Sequence, residues 1–107
     1  MKSDFLKPAE IIKMATINGA KALGLENLIG SIKKNKYADL IAINIDTIET
    51  QPCFDPLSSL VYSADRNSID YVWINGETKL NDKKLVCIDE TTLLQKAKLW
   101  KNKIKKI

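Results

Sequence analysis

The spacing of hydrophobic positions changes several times along the chain, and each change predicts a new element. Ile11, Ile12 and Ala15, with Ala22 or Leu23 further on, fall near a helical period. Pro8 stands ahead of them, where a first helical turn tolerates its missing N–H. A helix is therefore predicted over residues 8–15, interrupted at Asn18-Gly19 and resumed briefly through "NGAKAL", with Gly24 as a left-handed stop. From Leu28 the period shortens. Residues 30–33 and 38–45 read as two strands around the basic turn "KKNK", in which Asn35 takes positive φ at lower cost than most residues. Ile41, Ile43 and Ile45 on one side, with Leu40, Ala42 and Asn44 on the other, suit a strand buried largely on both faces.

"FDPLSSLVYSA" reads as a short helix, with Asp55 as N-cap, Pro56 in the first turn, and Leu57, Leu60 and Val61 as its apolar stripe. "IDYVWINGETKL" predicts a strand over residues 69–74, a type I′ turn at Asn75-Gly76 and a return over residues 77–80. "KKLVCI" extends or repeats that return after a turn at Asn81-Asp82. Asp89 then caps a final helix, in which Leu93, Ala97, Trp100, Ile104 and Ile107 recur at spacings of four, three, four and three. That stripe is expected to dock on the chain's own core, leaving the lysines in solvent. The order is helix, hairpin, helical turn, hairpin, helix: an α+β class, with a small sheet flanked by N-terminal and C-terminal helices. Repeats, low-complexity tracts and Pro-, Gly- or Ser-rich linkers are absent from the sequence.

Composition adds limits. A chain of 107 residues, 45% hydrophobic and 28% charged, suits one modest domain. Its formal charge of +4 gathers in the tail "KAKLWKNKIKKI", and Arg66 is its one arginine. Guanine reading and phosphate clamping lean on arginine, so the lysines read as a solvated face and no nucleic-acid partner is expected. The N-terminus has no apolar signal region, and no run approaches the roughly twenty apolar residues of a membrane span. A cytoplasmic protein without a membrane partner is expected. Cys53 and Cys87 lack C-x-x-C spacing and read as idle thiols.

Candidate chemistry is sparse. Histidine is absent, which removes the commonest general base and the commonest metal ligand together. Asp39, Asp46, Asp55, Asp65 and Asp70 each suit a cap or turn. Ser58 and Ser59 have no readable base to activate them. Gly19, Gly24, Gly30 and Gly76 match no phosphate-binding loop, and nothing beside Cys53 would lower its pKa. No catalytic, cofactor-binding or metal-ligating residue is assigned.

Two blocks carry a resemblance: "MATINGAKALGLENLIGSIKKNKYADLIAINID", then "DPLSSLVYSADRNSIDYVWINGE". In this order and spacing they resemble the C-terminal end of the amidohydrolase superfamily, closest to the branch of methylthioadenosine/S-adenosylhomocysteine deaminases and triazine chlorohydrolases. The resemblance runs from about Pro8 to the end. It implies that residues 1–27 are the last helical portion of an eight-fold β/α barrel. Residues 28–107 would then be the C-terminal part of a composite β-sandwich, with a short crossing helix and a final amphipathic helix. The family's turn normally carries Gly-Lys at Asn35-Lys36, and Asn is the mildest replacement there.

The resemblance further implies a divalent metal, zinc or iron, in the full-length family, held by a His-x-His pair, further histidines and an aspartate. None of those positions maps onto this chain, so no cofactor is expected in it and the chain alone is expected to be inactive. Its implied function is as a structural, non-catalytic part of an enzyme that hydrolyses C–N or C–Cl bonds of purine- or triazine-like substrates. The alternative is a free-standing module that binds itself or another partner. Both readings expect unpaired sheet edges that recruit either a second copy or a chain carrying the catalytic barrel.

Overall fold

Helix α1, Pro8–Ala15, opens the region described by the structure, a computed structural model covering residues 6–106. The Lys7 N–H donates to Glu10 Oε2 at 3.4 Å, serving one of the donors a helix start leaves free. The break after α1 falls at Thr16 and not at Asn18-Gly19. Thr16 leaves helical geometry (φ −121°, ψ −97°) while its hydroxyl donates to the Ile12 carbonyl at 2.6 Å. Asn18 and Gly19 lie inside α2, Ile17–Ala22. The stop at Gly24 is as expected, with φ +72°. Its N–H donates to the Lys21 carbonyl at 3.0 Å and that of Leu25 to the Ala20 carbonyl at 2.8 Å, the paired bonds that close a helix through a left-handed glycine.

The strand expected over residues 30–33 does not form. Lys36, expected in solvent, instead turns inward: its Nζ donates to the Glu26 carbonyl, to the Ile29 carbonyl at 3.2 Å and to Ser31 Oγ at 2.7 Å. The Tyr37 N–H closes the same loop on the Leu28 carbonyl at 2.9 Å. One ammonium thus serves three acceptors and winds residues 26–36 into a coil, and Asn35 makes the expected left-handed turn (φ +72°).

With that partner gone, β1, Leu40–Ile43, pairs with β2, Ile69–Ile74. The sheet is antiparallel throughout, in the order β1-β2-β3-β4, with β3 at Glu77–Asn81 and β4 at Lys84–Leu85. Asn75 (φ +52°) and Gly76 (φ +76°) make the predicted two-residue turn. The next turn falls on Asp82 and Lys83, one residue later than expected, and both adopt positive φ.

Both faces of this sheet are apolar. Tyr71 and Trp73 stack on one, ring centroids 5.6 Å apart, with Ala42 and Leu40 opposite them across the strand pair. Ile41, Val72, Leu80 and Leu85 succeed one another across the other. A sheet of this kind needs a layer on each side. Neither face is closed here: Ile41 is 55% exposed, against the expectation of a doubly buried strand.

The helices make a separate group. Helix α3, Pro56–Tyr62, lies between β1 and β2 in sequence and packs against α1, which also contacts α2. Asp55 caps it as expected, accepting from the Leu57 N–H at 3.3 Å and from Ser58 Oγ at 2.7 Å. Helix α4, Glu90–Lys105, was expected to dock on the chain's own core; instead every one of its residues is exposed. The physical reason is that there is little core to dock on. Among the described residues Ala20 is the one buried apolar side chain, and the other buried residues are Thr50, Ser59 and Ser68.

Candidate functional site

An open concavity is lined by Arg66, Asn67, Ile69, Leu80 and Lys83, beside the 3₁₀ turn Arg66–Ser68. Asp65 next to it accepts from the Asn67 N–H at 2.8 Å and so acts as a cap. Lys83 Nζ stands 3.7 Å from Asp70 Oδ1. That oxygen is buried and has no hydrogen-bond partner among the described residues.

Asp55 and Asp65 cap helical turns as expected, whereas Asp70 lies inside β2 and not at a cap or turn. Asp39 accepts from the Asn75 N–H at 2.8 Å and ties the segment before β1 to the hairpin turn, and Asp46 stands 3.5 Å from Gln51 Nε2. Ser58 Oγ donates to the Asp55 carboxylate at 2.7 Å within the α3 cap, and Ser59 Oγ donates to Cys53 Sγ at 3.2 Å, so both hydroxyls of "DPLSSL" are engaged in local bonds. Both cysteines are free.

The chain has no histidine, and no three carboxylates or thiols converge among the described residues. Within those residues, no helix is long and apolar enough to cross a membrane.

Three groups titrate away from their ordinary values, each for a local reason. The Lys79 hydrogen bond and charge hold the Glu77 carboxyl down, and Glu77 raises the Lys79 ammonium in return. The pair is exposed, where such contacts contribute little. Asp89 is lowered first by the Thr92 hydroxyl, which donates to Oδ2 at 2.6 Å, and then by the Thr91 N–H at 3.2 Å from Oδ1. Its folded carboxyl therefore takes up a proton less readily than the unfolded one. The capping contribution is complete above the unfolded value, and is lost as pH falls through the lowered folded one. Circular dichroism is expected to show α4 losing helix on acidification below about pH 4. Asp89→Ala will start with less helix at neutral pH and lose less of it in acid; an acid limb identical to that of the wild type would contradict this role.

What the fold does present is uncovered apolar surface. Phe54 (91% exposed) and Tyr62 flank an open groove along α3 with Pro52 and Ser58. Ile41 lies on the open sheet face, and Leu93, Trp100 and Ile104 run along α4. Among the described residues β1 has no strand on its outer side, whereas the opposite edge is the two-residue β4, short and lysine-bearing. The surface of the chain is 9238 Å², against about 6,000 Å² for a compact protein of this mass. Its radius of gyration is 17.9 Å, against about 13 Å.

Residues 1–79 match the amidohydrolase family. The chain belongs to that family. A 5-methylthioadenosine/S-adenosylhomocysteine deaminase of Teredinibacter turnerae is 39% identical over 93 residues, 87% of this chain and 21% of the relative. The crystal structure of an adenosine deaminase from Xanthomonas campestris with bound zinc superposes with a TM-score of 0.93 at 38% identity, over 95% of this chain and 23% of that one. An atrazine chlorohydrolase from Arthrobacter aurescens complexed with zinc shares the fold, with a TM-score of 0.82 at 21% identity, over 89% of this chain and 21% of that one. The amidohydrolase chain thus spans about a fifth of the length of the relatives it matches. The expected family and branch hold, and the open sheet with flanking helices is an amidohydrolase fold element.

Proposed function

We propose that this chain is the C-terminal part of a metal-dependent deaminase that hydrolyses a C–N bond of an adenosine-type nucleoside, and that its own role is structural. The observation that carries this reading is the pairing of a conformation shared with an adenosine deaminase over 95% of the chain with large apolar side chains, such as Ile41 and Phe54, that the described residues leave exposed. A fold element that keeps its shape but not its cover is suited to completing a larger body. The reacting centre and its divalent metal then belong to the barrel portion, and this chain closes the sandwich layer and the barrel's last helical turn. Its partner is a chain, or chain portion, bearing that barrel, received along the open β1 edge and the apolar faces.

The donor set supports a non-catalytic role, because catalysis of this class needs ligands for a metal that activates water, and the chain carries no histidine. The purified chain, assayed with 5-methylthioadenosine and adenosine in added zinc, is expected to release no ammonia and to hold zinc only substoichiometrically by elemental analysis. Stoichiometric zinc, or deamination by this chain alone, would overturn the proposal.

A further inference from the structure

We infer that α4 is a docking helix for an acidic amphipathic helix of a partner chain, an assignment that does not depend on the deaminase reading. Leu93, Ala97, Trp100 and Ile104 recur at spacings of four, three and four, the repeat of a helix-to-helix seam. The fifth member of the pattern, Ile107, lies outside the described residues. At 100° per residue the four positions span about 60° of the helix circumference and about 16 Å of its length. They are uncovered: Leu93 is 52%, Trp100 65% and Ile104 64% exposed.

Lysines border the seam on both sides. Lys96 and Lys103 lie on one flank, with Lys103 Nζ 5.5 Å from the centre of the Trp100 ring, and Lys101 and Lys105 lie on the other. Glu90 is the one acidic residue of α4. A second copy of the helix would bring these lysines against their own kind, which the flanking positions of paired helices do not tolerate. A lipid surface is disfavoured for a different reason. Interfacial helices bury a broad apolar face, whereas Lys101 stands within about 40° of Ala97, and Leu99 points away from the seam. An apolar seam with glutamates or aspartates on both flanks meets all of these features at once.

The test uses the whole chain and a synthetic three-heptad peptide with leucines along its seam and glutamates on its flanks. A peptide with lysines in the same positions serves as control. Emission from Trp100 is followed in Trp73→Phe, which leaves a ring stacked on Tyr71, and calorimetry on the unmodified chain gives a second readout. The expected result is saturable one-to-one binding of the glutamate peptide, with a blue shift of Trp100. Binding should weaken as salt is raised, and at least tenfold in the variant carrying Lys96→Glu, Lys101→Glu and Lys103→Glu. The lysine peptide should not bind. The inference is overturned if the glutamate peptide fails to bind or binds no better than the lysine peptide. It is equally overturned if vesicles of phosphatidylglycerol shift Trp100 where the peptide does not, or if Trp100 is shielded by self-association through α4.

Discussion

Replacing Gly30 by valine is expected to disrupt the helical end of the chain, while Gly24→Val is tolerated with a smaller loss. Both glycines adopt positive φ, +91° and +72°, and share a backbone penalty of about 1–2 kcal/mol for a side chain there. They differ in what a Cβ would meet. At Gly24 nothing lies within 4 Å, whereas at Gly30 the new atom would stand 2.8 Å from Ala20 Cβ, 3.0 Å from Ile17 Cα and 3.2 Å from the Thr16 carbonyl. Two of those neighbours are backbone of α2 and its entry, and Ala20 is the one buried apolar residue among those described, so they cannot move aside cheaply. Overpacking adds roughly 1–3 kcal/mol, which brings the total to about 2–5 kcal/mol. Limited proteolysis within residues 25–37 will read the difference: rapid cleavage of Gly30→Val beside a near-native Gly24→Val is expected, and equal cleavage of the two would contradict the close approach.

The second large effect concerns the open surface. Folding to 9238 Å² removes roughly half of the surface of the unfolded chain, where a compact protein of this length removes about two-thirds. Each large side chain such as Ile41 or Phe54 gains about 1.5–3 kcal/mol from burial, and in isolation only a second copy can supply it. The isolated chain is therefore expected to bind the apolar dye ANS, to unfold over a broad temperature range, and to elute in light scattering above its 12.0 kDa mass at high concentration. Ile41→Lys with Phe54→Ser should shift it toward monomer. A sharp thermal transition of a strict monomer at high concentration would show that the faces need no cover.

Local chemistry in this chain was legible where one or two residues dictate the backbone. Asn75-Gly76, Asp55-Pro56, Asp89, Gly24 and Asn35 all occupy the turns and caps their residue types favour. The errors arose where a distant group decides. Periodicity suggested a strand over residues 30–33, but no periodic pattern records that Lys36 Nζ reaches back to three acceptors or that Gly30 is pressed against α2. The break after α1 falls at Thr16, whose hydroxyl bonds the Ile12 carbonyl, although Asn18-Gly19 is the stronger helix-breaking pair by residue type. The stripe of α4 runs along the helix as its period predicts, but its cover is not legible in the sequence, because amphipathicity says that a face seeks burial and not whether the same chain supplies it. The candidate site followed the same division. The absence of histidine is a property of the sequence; the extent of uncovered apolar surface depends on the fold.

Completion of a hydrolase is most directly tested by reconstitution. The deaminase of Teredinibacter turnerae would be produced without the 93 residues that this chain matches, loaded with zinc, and assayed on 5-methylthioadenosine before and after addition of the 107-residue chain. A truncated enzyme that is inactive alone and gains deaminase activity in a one-to-one complex, saturating as the chain is added, is the predicted result. Failure of the two to associate, or full activity of the truncated enzyme without this chain, would contradict it.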